Sequence, residues 1–162
     1  MDDKAQGSLQ YGAGKAWPEY LSQYPWHHAV TLTFRVSPSS NSPDRRSECL
    51  MEVSSERASR CFEIYAERLS DIYERIWFAY VIERGSRGAI HIHAVLGGTE
   101  KIPMWKIKEA WTYGFVRIAK SPGLGFLRYM TKDLAYGSSE VVLHPRLKYQ
   151  VRRWRHHRRL GA

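Results

Sequence analysis

Cysteine is scarce: Cys49 and Cys61 are the only two among 162 residues. They form no CxxC pair, so a disulfide framework and a thiolate-held structural zinc are both excluded, and a reducing compartment is expected. Long apolar runs are missing as well. No stretch approaches the length of a membrane span, and Met1-Asp2-Asp3-Lys4 leads into no apolar signal core. An intracellular protein with no membrane partner is expected. Acids are missing from the end of the chain. None follows Glu140, whereas residues 141–162 hold Arg146, Lys148, Arg152, Arg153, Arg155, Arg158 and Arg159. Seven of the nine net positive charges therefore lie in that segment. So concentrated a field favours a polyanion, most simply nucleic acid. A glycine-rich P-loop is absent too, which excludes an NTP-driven motor of that class.

What remains is an ordinary globular composition. Hydrophobic residues make up 43% and charged residues 25%, enough apolar material to bury one core, and the length suits one domain. We divide the chain into a leader over 1–28, a domain over 29–140 and a basic C-terminal tail over 141–162. The leader is polar, then aromatic at Trp17, Tyr20, Tyr24 and Trp26. Val30-Thr31-Leu32-Thr33-Phe34 is β-branched and aromatic and predicts a first strand. A Ser- and Pro-containing loop over 37–47 follows. Ala58, Cys61, Phe62, Tyr65, Leu69, Ile72, Tyr73 and Ile76 recur at helical steps. Two start signals compete for that helix, Ser42 before Pro43 and Ser54 before Glu56.

Strands are predicted over 77–83 and 89–96, joined by the hairpin Arg84-Gly85-Ser86-Arg87-Gly88. Pro103 opens a second helix, ended by Gly114. A fourth strand over 115–119 and a third helix over 122–136, stopped by Gly137, complete the order β-α-β-β-α-β-α. That order predicts an α+β fold: one antiparallel sheet with helices on one face and the other face free for a site. In the tail, Leu147, Val151 and Trp154 fall at i, i+4, i+7, the spacing of a short helix with one apolar edge.

The chemistry concentrates in three places. His91 and His93 are two apart in a strand, so both project from one face about 7 Å apart, close enough to share a metal ion. Ile90, Ile92, Ala94 and Leu96 point the other way, toward the helices. Counted back across the hairpin, Glu83 falls opposite His91. Two imidazoles and a carboxylate without a thiolate suit a divalent cation that keeps open positions, Mg²⁺ or Mn²⁺ at least as well as Zn²⁺. Each group also has a plain reading: two surface histidines, and an acid paired with Arg84 or Arg87. On the third helix, Leu127, Met130 and Leu134 define a core stripe. Tyr129, Lys132, Asp133 and Tyr136 share the opposite one. A tyrosine beside a cation is either a solvated helix face or a nucleophile next to a phosphate-holding group.

Thr31-Leu32-Thr33-Phe34, His91-Ile92-His93 and Tyr129-Met130-Thr131-Lys132, in that order, resemble the three motifs of the HUH endonucleases, specifically the rolling-circle replication initiator (Rep) branch. The resemblance spans roughly residues 29–136. It implies an RRM/ferredoxin-like sheet. It also implies that His91 and His93 bind a metal ion, Mn²⁺ or Mg²⁺, with Glu83 in the place of the upstream acidic ligand. Tyr129 would be the nucleophile and Lys132 would orient or stabilise the phosphate. The implied activity is sequence-specific nicking and joining of single-stranded DNA through a 5′-phosphotyrosine. It would act at an origin, presented in a stem-loop, to start rolling-circle replication of a plasmid, phage or viral genome. The cytoplasm would be the compartment in a prokaryote and the nucleus for a virus of eukaryotes. A helicase would come from elsewhere. Tyr136 stands seven residues after Tyr129, outside the Tyr-x-x-x-Tyr pattern, so closing a circle would need a second protomer or a second round at Tyr129.

Two alternatives stay open. In a single-tyrosine HUH transposase a ligand tends to lie four residues after the tyrosine, which here is Asp133. A non-catalytic RRM-like binder would use aromatics and the basic tail alone. Candidate DNA contacts are Arg35, Arg87, Arg117 and Arg128 in the domain and Arg152, Arg153 and Arg155 in the tail.

Overall fold

The computed structural model describes residues 16–35, 53–73, 75–85, 88–136 and 139–147. Residues 16–21 are helical (α1). They lead into β1 (His28–Thr33), followed by α2 (Ser55–Ile72), β2 (Trp77–Arg84) and β3 (Ile90–Gly97). Then come α3 (Met104–Glu109), β4 (Val116–Lys120), α4 (Leu124–Met130), a 3₁₀ turn over Lys132–Tyr136 and β5 (Val141–Leu143). The strands form one antiparallel sheet in the order β4-β1-β3-β2-β5. The expected α+β, RRM/ferredoxin-like architecture is what the chain adopts.

Of the two start signals for α2, Ser54 is the one used. Its hydroxyl accepts the Arg57 N–H at 3.1 Å, and Glu56 lies in the first turn, where a negative charge is favoured. Ala58, Cys61, Phe62, Tyr65 and Leu69 are buried against the sheet as the spacing predicts. Ile72 is half exposed and closes the helix, so Tyr73 and Ile76 fall outside it. The hairpin turns at Gly88, whose φ of 80° lies in the left-handed region that favours glycine.

Three sequence expectations are corrected. Gly114 does not end α3, which stops at Glu109. It sits where a Cβ would come within 2.0 Å of the Thr33 carbonyl oxygen, so its small size lets the chain close on the end of β1. The helix expected over 122–136 is two pieces. Thr131, buried, turns its hydroxyl back to the Leu127 carbonyl at 2.8 Å with its backbone at φ −103°. That side-chain bond competes with the helical ladder, and the chain tightens into the 3₁₀ turn. Third, Val141–Leu143, in the segment read as a tail, pairs with β2 as an edge strand.

Each sheet face has its own core. Val30, Leu32, Tyr80, Ile90, Ile92, Ala94 and Leu96 pack under α2 and α3. Ala29, Ala79, Val81 and Val95 on the opposite face are covered by Leu127 and Met130 of α4 and by Tyr20, Leu21 and Trp26 from the segment read as a leader. The Tyr20 hydroxyl donates to the Leu147 carbonyl at 3.2 Å and ties α1 to the end of the described chain. The second face is thus free over only part of its length. The loop over 37–47, the alternative start at Ser42, Cys49, Arg87, Gly137 and residues 148–162, with Arg152, Arg153 and Arg155, lie outside the described residues.

In the first core the Tyr65 hydroxyl is buried without a hydrogen-bond partner. Such a group retains its full desolvation cost. Tyr65→Phe should therefore raise stability by about 1 kcal/mol in urea titration. A loss of about 1 kcal/mol or more would reveal a partner for that hydroxyl.

Candidate active site

Register and alternation build the site. On the second face the side chains form three rows across the sheet. The first is Ala119, Ala29, Val95, Ala79 and Leu143. The second is Arg117, Thr31, His93, Val81 and Val141. The third is Thr33, His91 and Glu83, extended by Phe115, which exchanges backbone hydrogen bonds with Thr33. Polarity rises from row to row. The first row buries itself under α4 and α1, and the third lies open.

The polar rows line a cavity of about 470 Å³ bounded by Thr31, Thr33, Glu83, Gly85, His91, His93, Phe115, Arg117 and Tyr129. Glu83 pairs with His91 in the backbone register, as counted across the hairpin. Its carboxylate, however, reaches His93 and Lys132: Oε2 lies 2.6 Å from His93 Nε2 and Oε1 lies 2.9 Å from Lys132 Nζ. The two imidazoles stand nearly parallel with ring centres 6.5 Å apart. Tyr129, about half exposed, meets His93 edge-on at 5.1 Å, and Lys132 Nζ stands 4.2 Å from the centre of the Tyr129 ring. The helix break does not separate them, because α4 and the 3₁₀ turn keep both on the cavity side.

Thr31 was legible only as part of a strand motif. Its hydroxyl meets His93 Nδ1 at 3.2 Å. Because Nε2 donates to the Glu83 carboxylate, the neutral ring accepts from Thr31 at Nδ1. Desolvation by burial lowers the His93 pKa, and the pull of Glu83 does not restore it. For Glu83, burial acts upward, but hydrogen bonds and charge from Lys132 and His93 outweigh it and hold the carboxyl below its ordinary value. The hydrogen bond to Glu83 raises the Lys132 pKa. At neutral pH the wall therefore carries a carboxylate, a neutral imidazole and an ammonium.

This donor set suits a divalent cation in kind: one carboxylate and two imidazoles on one wall, with Glu83 and His93 already deprotonated. Among the described residues, no three of His, Cys, Asp and Glu stand together as a closed ligand cluster. Binding would require the Glu83 carboxylate to exchange Lys132 or His93 for the ion. Asp133 does not line the cavity. Of the arginines singled out, Arg117 lines it. Arg35 and Arg128 are exposed outside it, and the Arg35 N–H donates to the Tyr113 carbonyl. Sequence reasoning missed Phe115, 70% exposed on the rim, because an apolar residue after a glycine reads simply as strand.

A five-stranded antiparallel sheet with a polar cavity on the open half of one face, edged by a tyrosine and a lysine, defines the class of the protein structurally. Its family follows from comparison: residues 27–136 match the model of the replication-associated protein ORF2 family, and the chain belongs to that family. No curated protein matches the chain. Among solved structures, the hypothetical protein ORF119 from Sulfolobus islandicus rod-shaped virus 1 is similar at 13% identity. The match covers 73% of this chain and 90% of that one, with a TM-score of 0.45. No helix among the described residues is long and apolar enough to cross a membrane.

The shifted groups fix a pH dependence. His93 has a folded pKa below its ordinary 6.5, so between the two values the unfolded chain binds the extra proton. Stability is then full above about pH 6.5 and falls as the pH drops through that window. His28 and His144 shift in the same sense, and Glu83 adds a further loss below about pH 4.5. The melting temperature of metal-free protein should fall from about pH 7 to about pH 5, and His93→Gln should flatten that slope. An unchanged slope in the variant would remove His93 from the account.

Proposed function

We propose that the chain nicks and rejoins single-stranded DNA through a covalent bond to Tyr129, with His91, His93 and Glu83 holding a divalent cation, Mn²⁺ or Mg²⁺. The observation that carries this reading is the meeting of Tyr129, with Lys132 against its ring, and the His93–Glu83 pair at the edge of one open cavity. Membership in a replication-associated family supports a DNA substrate at a replication origin. In this reading the HUH resemblance holds, the origin is presented in a stem-loop, and the helicase is a separate protein.

The Tyr129 hydroxyl oxygen attacks the scissile phosphorus. The new O–P bond forms as the bond from phosphorus to the 3′ oxygen breaks. The phenolic proton passes to water, and the departing oxygen takes up a proton to become a 3′-hydroxyl. A bound cation would supply charge withdrawal at a non-bridging phosphate oxygen. To leave Nε2 free for that ion, His93 would move its proton to Nδ1 and donate to Thr31, whose hydroxyl then accepts. Lys132, released from Glu83, is placed to hold the phosphate beside the phenol. Joining runs in reverse: a 3′-hydroxyl attacks the phosphotyrosine and returns the oxygen to Tyr129. Arg117 on the cavity wall and the arginines at 152, 153 and 155 would supply phosphate contacts and most of the salt dependence of binding.

Tyr129→Phe should fold, bind single-stranded DNA with unchanged affinity and form no protein–DNA adduct on a denaturing gel. Adduct formation surviving in that variant but lost in Tyr136→Phe would move the nucleophile. Glu83→Ala should weaken Mn²⁺ affinity roughly 10- to 100-fold, the range for disturbed metal surroundings. Excess Mn²⁺ should partly restore cleavage. That behaviour in Asp133→Ala and not in Glu83→Ala would favour the ligand set of a single-tyrosine transposase.

A further inference from the structure

A second cleft, of about 440 Å³, runs along β4 and opens from the catalytic cavity. Ala29, Thr31, Lys108, Arg117, Ala119 and Phe126 contribute to it, together with the strand residues Val116 and Ile118. Thr31 and Arg117 belong to both the cavity and the cleft, so a chain leaving one enters the other. The floor is small because Ala29 and Ala119 face each other in the β1–β4 register. Phe126 forms a wall one helical turn before Tyr129, the two rings 6.4 Å apart and tilted by 46°. The charged groups lining the cleft are both cations, Lys108 and Arg117, and no acid lines it. Among the described residues, β4 pairs only with β1 and leaves its other edge open along the cleft.

We infer that this cleft is a nucleotide subsite: one base of the DNA strand stacks on the Phe126 ring while Lys108 and Arg117 meet the flanking phosphates. The inference rests on the proposed DNA reading of the neighbouring cavity and extends it to residues outside the chemistry. A flat apolar slot with an aromatic wall fits a nucleobase. Two cations with no carboxylate fit the polyanionic backbone on either side, the combination that holds single strands without base-specific hydrogen bonds. A peptide or a neutral small molecule would leave the paired cations unmatched. Direct continuity with the Tyr129 cavity places the stacked base within a few nucleotides of the reacting phosphate.

The test is a coupling measurement on the full chain without metal, so it is independent of nicking. Fluorescence anisotropy compares an oligothymidylate with an abasic strand of equal length. Wild-type protein should bind the base-bearing strand more tightly, and Phe126→Leu, which keeps an apolar contact with the second core, should lose roughly ten-fold of that preference. Ala119→Leu, which fills the floor, should cause the same loss through a residue that plays no part in packing α4. Affinity for the abasic strand should not change in either variant. Lys108→Gln should reduce the salt slope for both strands by about 0.7. Photocrosslinking of an oligonucleotide carrying 5-iodouracil should label the peptide containing Phe126. Equal losses on both strands, or base preference intact in both cleft variants, would overturn the subsite. A stacked base in a protein that never forms a tyrosine adduct would overturn the nicking reading alone.

Discussion

Antiparallel pairing of β2 with β3 places Glu83 across from His91, and the remaining geometry of the cavity follows from that register. Shifting the pairing by one residue would turn Glu83 to the helix-covered face and bring Ile82 into the cavity. In its actual place the carboxylate bridges two elements far apart in the chain. One oxygen holds His93 on the central strand, and the other holds Lys132 beyond α4. The bridge fixes the tautomer of His93, sets Lys132 against the Tyr129 ring and keeps three charged or polar groups paired at the cavity wall. A bound cation would inherit an assembled wall and would need to displace only contacts that Glu83 already makes.

The polarity gradient along the second face explains why the tyrosine stops where it does. Alanine and valine in the first row let α4 lie close, and Leu127 and Met130 anchor it there. One row further on, Thr31, His93 and Arg117 cannot be covered by an apolar helix without loss of hydration. The helix ends at that border, and Tyr129, in its last turn, hangs over the first polar side chains. Thr131 then uses its hydroxyl on the preceding turn, and the tighter 3₁₀ path carries Lys132 back toward Glu83. Packing therefore positions the reactive pair, and local helix propensity contributes little.

Much of this arrangement was legible in the residues. Strict alternation put His91 and His93 on one face and Ile90, Ile92 and Ala94 on the other. The short glycine-rich hairpin made the Glu83–His91 register countable. The fold class followed from element order, because a hairpin between helix-linked strands leaves few antiparallel sheets to choose from. What stayed hidden depended on tertiary contact. Val141–Leu143 is too short to announce itself as a strand and exists because β2 has an open edge beside it. Tyr20 and Trp26 look like leader aromatics until a second core is there to receive them. The direction of the Glu83 side chain, toward His93 and Lys132 and away from a shared point with both imidazoles, is a matter of rotamer and partner that spacing cannot give.

The central claim is that Tyr129 becomes covalently joined to DNA, and the mass of that residue tests it most directly. Protein incubated with Mn²⁺ and a single-stranded origin oligonucleotide labelled on the side 3′ of the nick, then digested with nuclease and protease, should yield one modified peptide. It should contain Tyr129, carry a 5′-phosphodeoxynucleotide on the phenolic oxygen and retain the label, with a free 3′-hydroxyl on the other fragment. A modification on any other residue, a label retained through a 3′-phosphate, or cleavage that leaves the protein unmodified would contradict the account.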